Sequence, residues 1–496
     1  MYLNCKTFFS LLYGTIKTEE LVLVAASYSV DTLALTNINT TADAWDFVDY
    51  CCKNGIKPVL GAEIRNDGKF CYVLLAKNNE GFLQINRFLS THLQEKNPFP
   101  EKYPGNSNVF AIYPLGKFAP ETLEADELIG VQPVEVNKLY GVVTASYLEK
   151  FVIRHPVTFQ DKKYFNAHRL LRAIDRNILL SRQQKDDVAA VHETFMPPSE
   201  LLNAFHSYPH IITNTLNTLR ACNIEMEFRK DKTKKVYSIS AEDDRILLER
   251  LALEGMSHRF EKNNYQAIER VKKELRIINN MGFNAYFLIT WDILQYARSR
   301  GFFYVGRGSG ANSIVAYCLE ITDVDPLDLD LYFERFLNPH RSVPPDFDID
   351  FSWADRDEII DYVFKRFGSA HVSLLGAYAT FQNRAIIREL GKVFGLPKEE
   401  IDALEHPSGN FRQDAISKQI LFYSRLIKDF PHHLSIHAGG MLVSDAPVHQ
   451  YSVTVMPPKG FPTAAIDMFI AEKIGLFKLD ILSQRGLGHI KDTVEL

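Results

Sequence analysis

Residues 345–351 read Pro-Asp-Phe-Asp-Ile-Asp-Phe, and this alternation of acidic and apolar side chains predicts a β-strand. Successive side chains of a strand point to opposite faces, so Asp346, Asp348 and Asp350 share one face. The apolar residues on the opposite face are Phe347, Ile349 and Phe351. The pattern therefore predicts a strand with one face toward a core and one face lined by carboxylates.

The three carboxylates have two interpretations. Like charges at this spacing repel, and a divalent cation offsets the repulsion. Mg2+ prefers carboxylate oxygens, and two such ions about 4 Å apart can stabilise the attacking and leaving oxygens of a phosphoryl transfer. The alternative is a solvated strand edge whose aspartates aid solubility, and the spacing alone leaves both open.

A glycine-rich turn, Val-Gly-Arg-Gly-Ser-Gly, occupies residues 305–310. It lies between a predicted strand at 302–305 and a predicted buried helix at 311–319. Ser309 would lie near the helix start, where free N–H groups favour anions, and Arg307 adds positive charge. The glycines allow a phosphate to approach the backbone closely. The alternative is a simple turn with a serine cap; without Gly-Lys-Ser/Thr it is not a Walker loop.

A third segment, Gly-Leu-Phe-Lys-Leu-Asp-Ile at 475–481, places Lys478 and Asp480 on one face of a predicted strand. A two-metal site needs a further carboxylate from a neighbouring strand, which Asp480 could supply. A structural ion pair between Lys478 and Asp480 is the alternative.

A basic stripe is predicted on one helix, where Arg384, Arg388 and Lys392 recur every four residues. Such a stripe suits a phosphate backbone, whereas an ordinary solvated face is the alternative. The net charge of −5 argues mildly against nucleic acid binding over the whole surface. Further basic residues near the glycine turn are Arg298 and Arg300.

Composition indicates a soluble globular protein of several domains. The 496 residues are 46% hydrophobic and 24% charged, and no apolar run approaches the roughly 20 residues of a membrane span. The six cysteines form no Cys-x-x-Cys pair, which argues against a zinc site or a disulfide framework. We therefore expect a reduced, cytoplasmic setting without a membrane partner.

Ordered motifs over about 270–490 resemble those of the alpha subunit of bacterial DNA polymerase III, a C-family replicative polymerase. The N-terminal third matches this family more loosely. The motifs are Met-Gly-Phe at 281–283, Tyr-Phe-Leu-Ile at 286–289, the glycine turn, 321–326, 333–339, 345–351, His-Ala-Gly-Gly at 437–440 and the strand with Lys478 and Asp480.

The resemblance implies a DNA-directed DNA polymerase, in which a primer 3′-hydroxyl attacks the α-phosphate of a dNTP and releases pyrophosphate. Asp346, Asp348 and Asp480 match the family's catalytic, metal-binding aspartates. The implied cofactor is two Mg2+ ions, with Mn2+ as a substitute. Asp350 matches a further acidic position that is usually outside this triad.

The resemblance also implies nucleotide- and DNA-binding residues. Gly308 and Ser309 match the glycine-serine signature of a polymerase-beta-like palm, and the stripe on the predicted helix is the expected DNA contact. The turn is shorter than usual before Arg-Gly-Ser-Gly, which leaves the approach of Gly306 to the phosphate open. Basic residues expected near the triphosphate are Arg307, Arg335 and Lys478.

We expect an α/β and α+β multidomain protein. A PHP-like α/β domain (polymerase and histidinol phosphatase) precedes a polymerase-beta-like nucleotidyltransferase palm with a small helical thumb. The expected segments are the PHP-like domain at 1–225, a linker at 226–240, the palm at 241–392, the thumb at 393–430 and the second part of the palm at 431–496.

The N-terminal domain departs from its family at the metal-binding positions. Asn4 and Lys6 stand where active PHP domains carry His-x-His, and Thr-Asn at 36–37 replaces Thr-Asp. Glu63 persists, and Arg-His at 154–155 replaces a later Asn-Asp step. An ammonium repels a metal cation, and asparagine is a poorer ligand than aspartate. We predict a structural domain without metal or exonuclease activity that docks a separate proofreading subunit.

The resemblance further implies that the chain is a piece of a longer polymerase, weakly active or inactive alone. The implied partners are primer-template DNA, dNTP and, for the full-length protein, a sliding clamp, a clamp loader and a proofreading exonuclease. A non-catalytic scaffold and another nucleotidyltransferase are the alternatives. The histidines at 432, 433 and 437 are interpreted as structural rather than as a metal cluster.

Overall fold

The computed structural model describes residues 1–105, 107–140, 145–337, 347–405 and 414–496. Within these ranges the chain forms two compact units. Unit 1 comprises Met1–Met226, Ala377–Ser435 and His449–Met456. Unit 2 comprises Glu227–Gly376, Ile436–Val448 and Pro457–Leu496.

Short apolar strands of the N-terminal part of unit 1 form one mixed sheet. They are β1 (Tyr2–Cys5), β2 (Thr32–Ile38), β3 (Lys57–Asn66), β4 (Lys69–Ala76), β5 (Val109–Pro114), β6 (Glu127–Val131), β7 (Phe151–Ile153) and β8 (Pro156–Val157). Their order is β7-β6-β5-β4-β3-β2-β1-β8. The first three strands pair in parallel, as the alternation of apolar strands with helices predicts.

Helices of the same part lie between these strands or follow them. They are α1 (Thr18–Ser27), α2 (Ala44–Lys53), α3 (Asn79–Glu95), α4 (Lys162–Arg176), α5 (Pro198–Ala204) and α6 (Pro209–Ala221). In the chain, α2 lies between the parallel strands β2 and β3, which agrees with the α/β pattern expected for this domain. The expected mixture of strands and helices is therefore present in this unit.

Unit 2 begins with the segment predicted as a linker, which contains neither a helix nor a named strand among its described residues. Its Thr233 nevertheless forms a β-bridge with Ser444 of the same unit. The following elements are α7 (Ala241–Arg259), α8 (Tyr265–Asn280), α9 (Asn284–Ser299), β9 (Tyr304–Arg307), α10 (Ile314–Cys318), β10 (Asp348–Ser352), α11 (Arg356–Phe367) and β11 (Val372–Thr380).

Three helices follow that belong to unit 1: α12 (Asn383–Phe394), α13 (Lys398–Glu405) and α14 (Ala415–Leu426). Their buried residues share an apolar cluster with α4, which includes Leu171, Ile386, Leu390 and Ile420. The residues at 377–392, which the sequence assigned to the palm, also fall in unit 1. Within the expected thumb at 393–430, residues 406–413 lie outside the described residues.

The remaining elements are β12 (Pro431–Val443), β13 (Thr454–Val455), β14 (Thr463–Ala464), α15 (Met468–Ile474), β15 (Lys478–Gln484) and α16 (Arg485–Glu495). Strands with residues in unit 2 pair in the order β14-β11-β12-β15-β10-β9. Phe347, Ile349 and Phe351 are buried in the core of this unit, which confirms the predicted apolar face. No helix within the described ranges is long and apolar enough to cross a membrane.

Candidate active site

Two strand pairings bring the predicted carboxylates together. β10 runs parallel to β15 with Asp348 opposite Asp480, and antiparallel to β9 with Asp348 opposite Arg307. Neighbouring strands lie about 4.8 Å apart, so these three residues are adjacent across the sheet. The third predicted aspartate, Asp346, lies outside the described residues.

Two basic side chains bind these carboxylates. Arg307 Nε lies 2.9 Å from Asp350 Oδ2, and Arg307 Nη1 lies 3.3 Å from Asp348 Oδ2. Lys478 Nζ donates to Asp480 Oδ2, which is the ion pair that the sequence left open as the alternative to a metal ligand. The cations offset the repulsion that carboxylates at this spacing would otherwise exert on one another.

Within the described ranges, two carboxylate oxygens of this group accept no hydrogen bond. Asp350 and Asp480 are each only 6% exposed. Their buried Oδ1 atoms accept no hydrogen bond from the described residues. Buried polar atoms without a partner are rare in folded proteins, and carboxylate oxygens are the ligands that hard divalent cations prefer. The residues present therefore fit a divalent metal, and Asp350 belongs to the same group as Asp348.

No group of three or more acidic, histidine or cysteine side chains within the described ranges is arranged to hold a metal by itself. Two features of the chain bear on this finding. Asp346 is outside those ranges, and Arg307 and Lys478 already bind carboxylate oxygens of the group.

The glycine turn differs from its prediction at the helix start. The strand runs through Arg307, Gly308–Asn312 form a 3₁₀ turn, and α10 begins only at Ile314. Ser313, not Ser309, caps this helix, because its Oγ accepts from the Ala316 N–H at 3.1 Å. The expected helix start at residue 311 is wrong, and Ser309 lies in the 3₁₀ turn before it.

Two glycines of the turn are required by close contacts. Gly308 has φ +76°, and a Cβ there would lie 2.9 Å from Asp348 Oδ2. A Cβ on Gly306 would lie 1.9 Å from the Ile321 carbonyl oxygen. Gly308 therefore brings the turn directly against a carboxylate of the site, whereas the small size of Gly306 serves packing between backbones.

A hydrogen-bonded chain that sequence reasoning missed holds the turn against α8. Asn312 Nδ2 donates to the Ser309 carbonyl at 2.9 Å, and Arg270 Nη2 donates to the Asn312 carbonyl at 3.2 Å. Arg270 Nε also donates to Glu274 Oε1 at 2.7 Å. Glu274 Oε2 accepts from Ser313 Oγ at 2.8 Å. Glu274 and Arg270 thus anchor the C-terminal end of the turn at Asn312 and Ser313, and Asn312 links that end to Ser309.

A sequence signal for this anchor existed. The buried residues of α8 are Ala267, Val271, Glu274 and Ile278, so a glutamate occupies one position of the apolar helical repeat. A charged residue is seldom fully buried unless it is paired. Such a residue in an apolar repeat therefore predicts a partner in the core.

Glu274 gives the unit a defined pH dependence. Burial raises the pKa of Glu274 from 4.5 to about 6, although Arg270 and Ser313 partly oppose the shift. The folded protein therefore binds a proton at the Glu274 carboxylate more tightly than the unfolded chain does. Its stabilising contribution is complete below pH 4.5 and is lost as the pH rises through about 6.

For Glu274→Gln, we expect this pH dependence to disappear. The difference in melting temperature between wild type and variant, measured by calorimetry, should decrease as the pH rises from 4.5 to about 6. The corresponding change in unfolding free energy is about 2 kcal/mol. Glu269→Gln, on an exposed part of the same helix, is the matched control. A constant difference between wild type and Glu274→Gln would contradict the assignment.

The strand that carries Asp480 is fixed by a buried arginine. Arg356 Nε donates to the Ile481 carbonyl and Arg356 Nη2 to the Ala438 carbonyl, both at 2.8 Å. Gly440 lies opposite Asp480, and its N–H donates to His437 Nδ1 at 2.9 Å. His437 therefore orders the backbone next to the site, in agreement with its structural interpretation.

The other predicted basic residues lie in different surroundings. Arg335 is exposed at the end of a 3₁₀ turn, and the adjacent Phe336 packs on Phe347 with ring centroids 4.9 Å apart. Arg298 and Arg300 bind the carboxylates of Glu320 and Glu358. These two arginines therefore add less free positive charge near the turn than the sequence indicated.

The predicted basic stripe lies on the exposed face of α12. Arg388 Nε lies 3.5 Å from Glu405 Oε1, and Lys392 Nζ lies 2.6 Å from Glu389 Oε1. Arg384 makes no ion pair or hydrogen bond within the described ranges. The stripe is therefore exposed, but two of its three charges are compensated by carboxylates.

At the N-terminal sheet, the ammonium group of Lys6 lies at a position where the family pattern has a metal-binding histidine. Lys6 Nζ donates to Glu63 Oε2 at 2.8 Å, and Asn4 Nδ2 donates to the same oxygen at 2.7 Å. Arg65 Nε donates to Glu63 Oε1 at 2.6 Å. Burial would raise the pKa of Glu63, but Arg65 and Lys6 together lower it below its ordinary range.

The neighbouring polar positions are also engaged with protein groups. Asn37 Nδ2 donates to Asp43 Oδ1 at 2.6 Å, and Thr7 Oγ1 donates to Asp43 Oδ2 at 2.6 Å. Burial raises the pKa of Asp43 to about 6. His155 Nε2 lies 2.8 Å from the Thr194 carbonyl oxygen. Asn4 and Lys6 thus bind Glu63 and Asn37 binds Asp43, whereas His155 contacts the Thr194 carbonyl instead.

Comparison with known proteins agrees with this geometry. The bacterial DNA polymerase III alpha NTPase domain matches residues 246–483, and the PHP domain matches residues 3–113. Among curated relatives, an error-prone DNA polymerase of Symbiobacterium thermophilum is 27% identical over 100% of this chain and 52% of its own length. DNA polymerase III subunit alpha of Bacillus subtilis is 28% identical over 100% of this chain and 49% of its own length.

These matches define a class of protein in which a PHP domain is joined to a polymerase-beta-like nucleotidyltransferase domain. The chain contains both of these domains and is similar over its whole length to bacterial DNA polymerase III alpha subunits, which agrees with the resemblance drawn from its motifs. It spans about half the length of the curated relatives it matches.

Proposed function

We propose that this chain supplies the PHP-like, palm and thumb parts of a DNA-directed DNA polymerase. The observation that carries the proposal is the register of the sheet, in which Asp348 lies opposite Asp480 and next to the glycine turn. Two buried carboxylate oxygens, Asp350 Oδ1 and Asp480 Oδ1, accept no hydrogen bond from the described residues, and this supports a metal at this position. The relatives' names, which describe DNA polymerases, agree with it.

The proposed metal ligands are Asp346, Asp348 and Asp480, with Asp350 beside them. The family implies dependence on divalent metal ions in general, and two Mg2+ ions, replaceable by Mn2+, are the specific proposal. Bound metal would supply Lewis-acid stabilisation of the oxygens that gain charge during phosphoryl transfer. The protein's own contribution is to hold the carboxylates in fixed register on adjacent strands.

Substrate positioning is proposed for the residues around the turn. Gly308 permits close approach to the backbone, and Ser309 is held through Asn312 and Arg270. Arg307 and Lys478 would exchange their carboxylate partners for the triphosphate of a dNTP, because both groups present anionic oxygens. Arg335, exposed on the adjoining turn, is the further proposed phosphate contact.

The complete activity is proposed for the longer polymerase rather than for this segment alone. Its substrates would be primer-template DNA and dNTPs. The finer proposals for partners are a sliding clamp, a clamp loader and a proofreading exonuclease subunit. For the N-terminal domain, the Lys6–Glu63 contact supports a structural function without metal.

Anomalous diffraction from crystals soaked with Mn2+ and a dNTP tests the site directly. We expect metal density between Asp346, Asp348 and Asp480 and a triphosphate at Ser309. Wild-type crystals without the dNTP and Asp480→Asn crystals with it serve as controls. Metal density at Glu63 and His155, with none at the aspartates, would contradict both the palm assignment and the proposed metal-free N-terminal domain.

Arg384→Ala is expected to weaken DNA binding more than Lys392→Ala. Lys392 is already bound to Glu389, whereas Arg384 has no carboxylate partner within the described ranges. Anisotropy titrations of primer-template DNA at several salt concentrations give the slope of the logarithm of the binding constant against the logarithm of the salt concentration. The magnitude of this slope should fall by about one for Arg384→Ala. Lys53→Ala, which removes an exposed charge from α2, is the control. Equal slopes for all three variants would show that the stripe does not contact DNA.

A further inference from the structure

A cavity of about 390 Å³ lies in unit 1 between α4, α12 and α14. Its volume is within the roughly 300–1,000 Å³ typical of small-molecule sites. Apolar side chains that include Leu170 and Leu180 form part of its lining, next to the cluster shared by these helices. The cavity belongs to a different unit from Asp348 and Asp480, so it is not part of the proposed catalytic site.

Two cations that line this cavity, Arg169 and Lys418, have no carboxylate partner among the described residues. Arg169 Nε makes only a long contact, 3.4 Å, to the amide oxygen of Gln183. Lys418 is exposed and forms no ion pair within the described part of the chain. None of the described residues that line the cavity is acidic. This differs from the nearby α12 stripe, where Arg388 and Lys392 bind carboxylates, and it leaves the cavity with uncompensated positive charge.

Aromatic side chains form another part of the lining. Phe422 and Tyr423 pack edge to face with ring centroids 5.1 Å apart, and Phe394 also contacts the cavity. Phe422 remains 50% exposed. Exposed aromatic rings next to cations are the combination that binds single nucleotides, because the ring stacks on a base and the cation binds its phosphate.

We propose that this cavity binds a nucleotide unit, with the base against Phe422 and Tyr423 and the phosphate at Arg169 and Lys418. The amides of Asn166 and Gln419, also on the lining, are available to the edge of the base. Two sources offer this chemistry: a free nucleoside monophosphate and one nucleotide of single-stranded DNA. The proposal does not depend on the polymerase assignment.

Binding to the whole chain tests the proposal, in EDTA so that metal-dependent binding elsewhere does not contribute. Calorimetry with 2′-deoxyadenosine 5′-monophosphate measures the free nucleotide, and anisotropy with labelled oligothymidylate measures the single strand. We expect Lys418→Ala and Phe422→Ala each to weaken binding about tenfold. Arg425→Ala removes one positive charge from the same helix outside the cavity lining and is the matched control.

The two probes separate the sources. Monophosphate binding that is lost in both cavity variants identifies a free-nucleotide site. Oligothymidylate binding that is lost in the same variants, without monophosphate binding, identifies a single-strand contact. Binding of neither probe, or equal loss in Arg425→Ala, would overturn the proposal; circular dichroism of each variant excludes misfolding as the cause.

Discussion

If the proposed polymerase function is correct, primer extension by the proposed longer enzyme should fall by about 10³-fold or more when Asp480 is replaced by Asn. The substitution removes a negative charge from a buried carboxylate whose Oδ1 has no donor within the described ranges. Bound metal contributes several kcal/mol to phosphoryl transfer, and each 1.36 kcal/mol corresponds to tenfold in rate. Asp348→Asn, in the paired strand, should have a comparable effect.

Controls for this result use the same chemical change elsewhere. Asp361→Asn, on a partly exposed part of α11, should leave extension unchanged because its carboxylate pairs with Lys365 rather than with the residues of the site. Primer binding by each variant, measured separately, shows that the loss is in chemistry. Unchanged extension in Asp480→Asn and Asp348→Asn would favour the scaffold alternative. Extension without a template would favour another nucleotidyltransferase.

Replacing Lys6 by Met should destabilise the N-terminal sheet by about 3 kcal/mol. Removing one member of a buried ion pair leaves the other charge poorly compensated, which costs about 3–5 kcal/mol. Lys6 is fully buried and Glu63 is 1% exposed. Arg65 still binds Glu63 in the variant, so we expect the lower end of that range. Hydrogen exchange of β1 and β3 in the whole chain measures the local opening free energy.

Two variants make the Lys6 result specific. Lys53→Met removes a lysine that is 63% exposed and paired with Asp49, and should cost less than about 1 kcal/mol. Lys6→Met combined with Glu63→Gln should recover none of the loss, because the largely buried Arg65 then lacks its carboxylate partner. If Lys6→Met matched Lys53→Met, the ammonium would not stabilise this sheet.

The alternation of side chains was sufficient to predict the local geometry of the site. It placed Asp348 and Asp350 on one face, Lys478 beside Asp480, and the intervening phenylalanines and isoleucines in the core. Periodicity contains no information on which strands are neighbours or in which register. The opposition of Asp348 to Asp480 could be anticipated only from the family resemblance.

The turn shows a second kind of limit. Ser309 and Ser313 are both small polar residues before an apolar run, and local preference for a cap does not separate them. The cap forms at Ser313, whose Oγ also donates to the carboxylate of Glu274, a residue distant in the sequence. Tertiary contacts of this kind, like that between Lys6 and Glu63, depend on how the chain packs rather than on its local pattern.

The guanidinium of Arg307 has a consequence for the order of events at the aspartates. It binds the same class of oxygen that a divalent ion would take, so the two compete for Asp348 and Asp350. A chelator should therefore leave the strands paired, since an internal counter-ion remains. A triphosphate that draws Arg307 away would make room for the ion, so each ligand would raise the affinity for the other.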